Sequence, residues 1–308
     1  MPTNIRLTSV IALSLITIFT ACKKDSTQQN QEPTPELTTH TEDQNRVSTE
    51  MDAVNIDLNY ALENNSSFSG RLQGDSICSA VVTFDTIASP RKITITYNGA
   101  DCGGLHTRTG SVIISMASGV HWRDSGATIS VAYQNFKVVR VSDKKSITIN
   151  GTHTLKNTYG GLLRDLLIGR PNITHDLNSD NMSITFDDGT QRNWKVARRR
   201  VYSIANGGTI AVSGTHTEGS ESNVAEWGTD RFGHAFTTSI TQPLVVTGNC
   251  QFRLISGQIT HNRMGATASV TFGLDKNGNA ISCPAGNYYY KLTWAGPSGA
   301  TLIYIAPY

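Results

Sequence analysis

From Ser76 onward, apolar and polar residues alternate with a period of two over most of the chain. This alternation is typical of antiparallel strands that have one face against a core and the other face in water. Two turn sequences, Asp187-Asp188-Gly189 and the stretch from Asp275 to Asn279, favour tight hairpins between such strands. The pattern therefore predicts an all-β fold, either a large antiparallel meander or a β-sandwich. The clearest predicted strands are Val81–Asp85, Ile93–Tyr97, Ser111–Ser115, Thr128–Tyr133 and Ser146–Asn150.

Two segments depart from this alternation and show helical spacing instead. Thr49 begins a Thr-Glu-Met-Asp sequence suited to capping a helix N-terminus, and Met51 and Val54 follow on one helical face. We expect one short helix from Thr49 to about Glu63, ahead of the sheet and covering an edge or an end of it. The Leu-rich segment 161–169 predicts one or two helical turns that form a packing insert between strands, with a plug or lid as the alternative.

An apolar run of 13 residues, Leu7 to Phe19, lies near the start of the chain and is followed at once by Thr-Ala-Cys, ending at Cys22. A helix of this length covers roughly 20 Å, which is short of the roughly 30 Å hydrocarbon layer, so a membrane-spanning helix is not expected. An ordinary cleaved signal would also end in small residues, but it gives no reason for a cysteine followed by Lys23. The segment resembles a bacterial lipoprotein signal, in which a peptidase cuts before the cysteine and acyl chains are attached to it. We therefore predict a signal peptide at 1–21 and lipidation of Cys22, with Lys23 favouring the outer membrane over the inner.

The segment 22–48 is rich in Gln, Thr, Glu, Asn and Pro, and Leu37 and Val47 are almost its only apolar residues. This composition cannot offset the entropy of ordering, so we expect a disordered tether with a root-mean-square span of roughly 25 to 30 Å. Residues 49–308 then form the β-rich domain with its N-terminal helix. That length suits one large domain or two similar sheet segments.

The charge balance excludes one class of partner. The chain has 26 Lys and Arg against 24 Asp and Glu, and cleavage before Cys22 removes Arg6 and no acidic residue, which leaves 25 against 24. A nearly neutral protein has no global field that favours DNA, RNA or an anionic bilayer, so we predict no nucleic-acid partner. The membrane is expected as a partner through the lipid on Cys22, while a glycan or protein ligand is left open.

Four cysteines remain beside the lipidated one, and an even number in an exported chain indicates disulfides. Two strands of similar length around a turn place Cys78 opposite Cys102, and the pairing of Cys250 with Cys283 follows partly by elimination. Each bridge would contribute roughly 3 to 4 kcal/mol. The sequence has no CxxC and no Cys/His pair at ligand spacing, so disulfides are favoured over zinc, and no cofactor is predicted.

An internal repeat supplies two of the candidate site residues. Val138 to Thr154 aligns without a gap to Val201 to Thr217, and both copies end in Gly-Thr-His-Thr, with His153 and His216 at the same position. If the copies stack, the two histidines could approach each other and bind a metal. We favour the alternative that each lies on the solvent face of a strand, since neither copy supplies a nearby carboxylate or a third ligand. The glycine in each copy is expected to mark a bulge or a sharp bend.

Three further residues are weak binding candidates. Arg198 and Arg200 would share one face of a strand while Arg199 takes the other, and together they could receive an anionic glycan or a phosphate. A solvated sheet edge protected by charge is the favoured alternative. Trp122, in a Ser-Gly-rich turn, is a candidate exposed aromatic for ligand binding.

The run from Ile93 to Ser115, with the stretches 183–190 and 249–257, resembles a family of uncharacterised, β-rich lipoproteins of Gram-negative bacteria. The resemblance covers about residues 50 to 295 and depends on strand and turn sequences and on the cysteines. It implies a β-rich fold and an envelope location, and it supplies no catalytic residues. The Leu-rich segment departs from the usual pattern of that family.

Two functional hypotheses remain after this reading. The first is a lipid-anchored, non-catalytic binding or structural module of the cell envelope, on either the periplasmic or the surface side. The second is a hydrolase of envelope polymers whose histidine and carboxylate groups meet only on folding. The chain has no GxSxG, HExxH, P-loop or GxGxxG sequence, and we favour the first hypothesis. Exposed aromatics on one sheet face, such as Trp122, Trp227 and Tyr288 to Tyr290, would support it.

Overall fold

The computed structural model describes residues 35–69, 77–284 and 286–308. Among these residues, 15 strands form a single sheet in which most hydrogen-bonded neighbours are consecutive in sequence. All strand pairs that involve consecutive neighbours are antiparallel, as the alternating sequence pattern requires. The predicted all-β, antiparallel fold class is confirmed.

Two helices precede the sheet, α1 (Pro35–Glu63) and α2 (Ser66–Ser69). Strands β8 and β9 leave the sequential order, because β8 pairs with β7 and β11 while β9 pairs with β10. Three short 3₁₀ turns occupy connections between strands. In chain order the strands are β1 (Ala80–Asp85), β2 (Arg91–Ala100), β3 (His106–Met116), β4 (Thr128–Arg140), β5 (Ser146–Asn157), β6 (Ile173–Phe186), β7 (Gln191–Ser203), β8 (Thr209–Gly214), β9 (His216–Glu218), β10 (Glu221–Thr229), β11 (Ala235–Thr247), β12 (Arg253–Arg263), β13 (Ala266–Leu274), β14 (Tyr289–Ala295) and β15 (Thr301–Pro307).

Helix α1 begins 14 positions before the predicted start at Thr49 and is 29 residues long. The prediction of a disordered tether is therefore wrong for residues 35–48. The polar composition of this segment predicted disorder. Most of the side chains that hold this part of the helix are indeed polar, but they have partners on the sheet. His40 and Asp43 are buried there, and Val47 is fully buried in the main core.

Four of the seven acidic residues of α1 recur every seven positions, at Glu36, Asp43, Glu50 and Asp57. Seven residues are nearly two helical turns, so these carboxylates form one stripe along the helix. A second seven-residue series, His40, Val47, Val54 and Ala61, is buried in the core. The two series are offset by three or four positions, so they lie next to each other around the helix axis, and charged and apolar contacts together place the helix against the sheet.

The sheet curves around α1. Residues two apart on a helix point about 200° away from each other, so Glu50 and Asp52 face opposite sides. Glu50 accepts a hydrogen bond of 3.1 Å from Arg108 on β3, whereas Asp52 pairs with Arg200 on β7. Strands β4, β5 and β6 lie between β3 and β7 in the sheet, so the sheet must wrap around the helix to reach both sides.

Helix α1 runs from one end of the sheet to the other. Its first turn contacts the end of β12, where Arg263 donates to Glu36 over 3.1 Å. Its last residue, Glu63, accepts a hydrogen bond of 2.7 Å from the backbone of Leu163 in the β5–β6 connection. We call the end marked by Arg263 the entry end and the end marked by Arg253, where β12 begins, the far end.

The predicted repeat corresponds to equivalent pieces of the sheet. Each copy contains the end of one strand, a turn, and the next strand up to its glycine, on β4–β5 and on β7–β8. Gly151 has a φ of 116° and lies where the β5–β6 register shifts, and a Cβ there would lie 2.4 Å from the carbonyl oxygen of Asn181. Only glycine tolerates that approach, so the expectation of a bulge is confirmed for the first copy. In the second copy, β8 ends at Gly214.

The Leu-rich segment forms a 3₁₀ helix over Leu163–Ile168, as the prediction of one or two helical turns requires. Leu162 is buried in the main core, and Leu166 packs in a small second cluster with Ile173 and Tyr202. Together with the Glu63 hydrogen bond, these contacts make the segment a packing insert at the far end.

Both predicted disulfides are present. Cys78 and Cys102 join the residues before β1 to the β2–β3 turn, with their Cα atoms 5.3 Å apart. Cys250 and Cys283 join the β11–β12 turn to the β13–β14 connection, with a Cα separation of 5.0 Å. The first bridge lies at the entry end and the second at the far end.

Candidate functional site

Arg198 and Arg200 share one face of β7 and Arg199 takes the other, as predicted. The predicted solvated sheet edge is wrong, however, because β7 is an interior strand that pairs with β6, β8 and β10. Arg198 and Arg200 are buried against α1, while Arg199 is more exposed and pairs with Asp176 over 2.7 Å. The two buried guanidinium groups are occupied by carboxylates and are not free to receive an anionic ligand.

Glu226 on β10 is the centre of the tightest part of this network. Its side chain is 1% exposed and forms an ion pair with Arg198. Its carboxylate also accepts hydrogen bonds of 2.9 Å from Trp194 Nε1 and 3.0 Å from Ser48 Oγ. Two residues of β7 and one residue of α1 therefore meet at a single buried carboxylate, which no sequence motif indicates.

The acidic stripe of α1 meets arginines from widely separated parts of the sheet: Arg108 on β3, Arg231 in the β10–β11 turn and Arg263 on β12. Asp43 accepts two hydrogen bonds from Arg231, of 2.6 and 2.7 Å. Burial raises the pKa of Asp43 although Arg231 opposes that change. The pairing explains why the helix has acidic residues at this spacing, because each carboxylate meets an arginine. Asp43 and Glu50 do so where they are shielded from water, whereas Glu36 is about half exposed. The seven-residue spacing of these acidic residues was a signal in the sequence that could have indicated the longer helix and its charged contacts.

His153 is buried, and the prediction that it lies on the solvent face is wrong. It is 2% exposed, and its ring centroid lies 5.5 Å from that of Tyr133. Burial, assisted by the charge of Arg200, lowers the pKa of His153 to about 3, so the ring is neutral at pH 7. The predicted alternation with Thr152 and Thr154 holds, since both threonines are more exposed. Alternation alone could not reveal which face was inside.

His216 lies on the outer face and does not meet His153. Its ring stacks on Trp227 with a centroid distance of 3.9 Å and an interplanar angle of 8°. The outward direction follows from Glu226, the neighbour of Trp227, which faces α1. His216 Nε2 also lies 3.0 Å from Glu218 Oε2, a nearby carboxylate that sequence reasoning missed. Within the described residues, no group of three or more His, Cys, Asp or Glu side chains could hold a metal ion.

Trp122 is fully buried, so its role as an exposed aromatic is wrong. Its backbone N–H donates to the carbonyl oxygen of Phe68 over 2.7 Å, and its ring packs 5.0 Å from that of His175. Asn157 Nδ2 donates a hydrogen bond of 2.8 Å to the backbone carbonyl of Trp122. The turn around Trp122 therefore closes the core at the far end.

Cys22 and the predicted signal peptide lie outside the described residues. In the part of the chain that the structure describes, no helix combines the length and the apolar character needed to cross a bilayer. The lipidation of Cys22 thus stays a prediction of the sequence.

A polar cleft lies beside the Cys250–Cys283 disulfide at the far end. It has a volume of about 220 Å³ and is lined, besides the disulfide, by Asn249, Gln251, Arg253, Pro284 and Tyr288. The guanidinium of Arg253 lies over the ring of Tyr288 at 4.5 Å and donates to the carbonyl of Gly286 over 2.8 Å. The cleft therefore combines amide groups with one cation and a tyrosine.

An aromatic platform adjoins this cleft on β13, β14 and β15. We define it as Phe272, Tyr290, Tyr304 and Tyr308, and Tyr288 joins it to the cleft through a stacked contact with Tyr308 at 6.0 Å. The ring of Tyr308 lies 5.6 Å from that of Phe272, and Tyr290 lies 6.4 Å from Tyr304. Tyr304 is 53% exposed and Tyr308 is 40% exposed. These rings form a continuous, partly open aromatic surface.

Backbone register explains why the platform rings share one face. Leu292 pairs with Tyr304 and Tyr290 pairs with Ala306, so Tyr290 and Tyr304 lie on the same side of adjacent strands. Ile303, the neighbour of Tyr304, faces the opposite side and is 65% exposed. Sequence reasoning noted 288–290 but missed Tyr304 and Tyr308, because their position beside β14 depends on strand register.

The hydroxyls of Tyr290 and Tyr308 are neutral, and the Tyr308 hydroxyl is held in a defined position. Burial raises the pKa of both Tyr290 and Tyr308. Tyr308 Oη accepts a hydrogen bond of 2.9 Å from the Gly273 backbone N–H and donates to the carbonyl of Leu254 over 2.7 Å. The Tyr308 ring is therefore fixed in place before any ligand arrives.

Comparisons with protein-family models, with curated proteins and with solved structures found no match to this chain.

Proposed function

We propose that this protein is a lipid-anchored, non-catalytic module of the bacterial cell envelope that binds a carbohydrate chain at the aromatic platform and the adjoining cleft. The observation that carries the proposal is that half-exposed tyrosine rings lie beside a cleft lined by Asn249, Gln251 and Arg253, with the buried ring of Tyr288 packed between them. Binding sites commonly combine aromatic surface with a few well-placed polar groups, and this arrangement has both.

A carbohydrate fits the chemistry of this surface. Sugar rings have one face of C–H groups that can pack on tyrosine rings, and hydroxyls at their edges that seek hydrogen bonds. The platform offers the rings of Tyr290 and Tyr304, which have an apolar body and a polar tip. The cleft offers two amides, and amides both donate and accept hydrogen bonds. Arg253 adds one cation for an acidic substituent.

The position of the cleft suits an anchored protein. The described chain begins at Pro35, at the entry end, whereas the cleft lies at the far end of β12. The 11 residues of β12 span roughly 35 Å between those ends. The binding surface therefore lies at the opposite end of the sheet from the start of the helix, to which residues 23–34 connect Cys22.

Replacing Tyr304 with Ala should weaken binding to purified peptidoglycan sacculi about tenfold, because the exposed ring supplies stacking area worth on the order of 1.4 kcal/mol. Co-sedimentation of the full chain with sacculi over a range of concentrations measures the change. Ile303→Ala is the matched control, since Ile303 is the next residue on the edge strand, equally open, and on the opposite face. Equal binding by Tyr304→Ala and the wild type would count against the platform as the site.

Replacing Cys22 with Ser should move the protein from the membrane fraction to the soluble fraction of the envelope, because two or three acyl chains make the attachment effectively permanent. Fractionation of cells followed by immunodetection measures the partition, and sucrose-gradient separation of inner and outer membranes tests the predicted outer-membrane location. Cys78→Ser serves as the control, since it removes a disulfide cysteine and leaves the anchor. If Cys22→Ser stays in the membrane fraction as the wild type does, the prediction that the protein is a lipoprotein is wrong.

A further inference from the structure

Arg192 is a buried cation that lacks a carboxylate partner. Its side chain lies on the inner face of β7 and is 1% exposed. Its one hydrogen bond joins Nη2 to Gln44 Oε1 over 2.8 Å, while Nε and Nη1 have no partner among the described residues. Burial lowers the pKa of Arg192 to about 10, so the guanidinium is still charged at pH 7. The carboxylates of Asp43 and Asp230 favour the charged form of Arg192 from a distance, but neither forms an ion pair with it. A buried charge without a close counter-charge is destabilising.

The neighbouring buried arginines, unlike Arg192, each form an ion pair with a carboxylate. Arg198 pairs with Glu226, Arg231 with Asp43, and Arg263 with Asp230. Each of these ion pairs is closed within the protein. Arg192 stands apart because the helix residue that meets it is an amide, Gln44, and an amide brings no negative charge.

Two histidines with unpaired nitrogens lie beside Arg192. Arg192, His40 and His261 all pack against the ring of Phe236, at 4.9, 4.9 and 5.7 Å respectively. The rings of His40 and His261 lie 4.7 Å apart. Both nitrogens of His40 and Nε2 of His261 are buried and have no hydrogen-bond partner in the described chain.

Each neutral histidine carries one ring N–H, and the unpaired nitrogens leave that N–H available to a ligand. Thr238 Oγ1 lies 2.8 Å from His261 Nδ1 and can donate to it, which leaves the ring proton on Nε2. Neutral His40 has one N–H as well. The site therefore presents N–H groups from three side chains and one full positive charge, with no carboxylate in contact with Arg192. A cation would be repelled, and an anion would be both hydrogen-bonded and neutralised.

We propose that Arg192, His40 and His261 bind a small monovalent anion of the halide class. The small size follows from the packing, since His40 is 1% exposed and the rings around the site are in mutual contact. The anion supplies the counter-charge that Gln44 does not. It joins helix α1 to strands β7 and β12, and it therefore stabilises the seating of the helix at the entry end.

The test is thermal unfolding of the purified full chain at pH 7.5 and constant ionic strength, with gluconate replaced stepwise by bromide. Because the anion binds only the folded state, the Tm of the wild type should rise with the logarithm of the bromide concentration above Kd, by about 5 to 10 °C at a hundredfold excess over Kd. A Tm that does not depend on bromide would overturn the proposal. Arg199→Gln should keep the full response, because Arg199 lies on the other face of the same strand.

Two variants remove the site in different ways. Arg192→Gln removes the cation and should lose the bromide response. Gln44→Glu gives Arg192 a carboxylate, which should replace the anion, raise Tm in gluconate and abolish the bromide response in a chain that still folds. A bromide response in Gln44→Glu equal to that of the wild type would contradict the proposal. In crystals grown with bromide, an anomalous peak beside Arg192 and His40 is expected, and an ordered water at that position would contradict it.

Discussion

Lowering the pH from 7 to about 4.5 should unfold the domain in one cooperative step. The main cause is a set of three buried histidines, His40, His153 and His175, which are 1%, 2% and 1% exposed. Burial is the largest cause that lowers their pKa, to about 2, 3 and 3 respectively. The charge of Arg200 adds to the effect at His153 and His175, and His261, Arg192 and Arg263 add to it at His40.

The direction of the effect follows from proton uptake on unfolding. The three rings are neutral in the folded state, whereas in the unfolded chain they take up protons below a pKa of 6.5. Their stabilising contribution is complete above pH 6.5 and is lost progressively as the pH falls toward the lowered pKa values. Each ring accounts for about 1.4 kcal/mol per pH unit in that window. At pH 4.5, two units below 6.5, the three histidines together lower the free energy of unfolding by roughly 8 kcal/mol, which is comparable to the whole stability of a domain.

Buried carboxyls oppose part of this loss. Burial raises the pKa of Asp43, Asp57 and Glu63, so these groups take up protons in the folded state before they do so in the unfolded chain. Asp176 acts in the other direction, because its hydrogen bond from Arg199 lowers its pKa. The histidines dominate because their shifts are larger and begin at a higher pH.

Circular dichroism and tryptophan fluorescence against pH measure the midpoint of acid unfolding. His153→Leu should move the midpoint to lower pH at little cost at pH 7, because both ring nitrogens lack partners in the described protein. His216→Leu is the control, since that ring is partly exposed and has its carboxylate partner on the surface. A wild-type protein that stays folded at pH 3.5, or equal shifts in both variants, would refute the explanation.

Replacing Glu226 with Ala should lower the free energy of unfolding by about 3 to 5 kcal/mol, the cost of leaving a buried charge uncompensated. The variant leaves the buried guanidinium of Arg198 with only a contact of 3.8 Å to the half-exposed Asp52, and it leaves Trp194 Nε1 and Ser48 Oγ without their acceptor. Urea unfolding of the full chain at pH 7.5 measures the change. Glu218→Ala should cost less than about 1 kcal/mol, because Glu218 is half exposed and its pairing with His216 is screened by water.

A double variant separates the ion pair from simple packing. Arg198→Met combined with Glu226→Leu removes both charges, so most of the stability lost by Glu226→Ala should return. If the double variant is as unstable as Glu226→Ala, the hydrogen bonds of Trp194 and Ser48 dominate over the charge. If Glu226→Ala is as stable as Glu218→Ala, then Glu226 is not the structural centre that the contacts indicate.

Local rules predicted those features that depend on residues close in sequence. The turn at 187–190 joins β6 to β7, and the turn after Leu274 closes where Asp275 accepts hydrogen bonds from Asn277 and Asn279. The bridge between Cys78 and Cys102 followed from a hairpin and was correct. These features succeed because hydrogen bonds and side-chain alternation over a few residues decide them.

The candidate site could be predicted only in part. Tyr288 and Tyr290 stood out in the sequence as a cluster of aromatics, but Tyr304 and Tyr308 become their neighbours only through the register of β14 and β15. Trp122 looked equally suitable and is fully buried. Residue type cannot distinguish an aromatic in the core from one on a binding surface, because burial depends on what the rest of the chain places above it.

The sequence by itself determined the antiparallel β fold, both disulfides, the helix ahead of the sheet and the side-to-side alternation of Arg198, Arg199 and Arg200. The tertiary structure decided which face of each strand is inside, and it buried His153, Arg198 and Arg200 that had been expected at the surface. It also extended the helix back to Pro35, where Glu36 meets Arg263, 227 positions away in the chain. A polar segment can be ordered when its charges find buried partners, and those partners exist only after the sheet has curved around the helix.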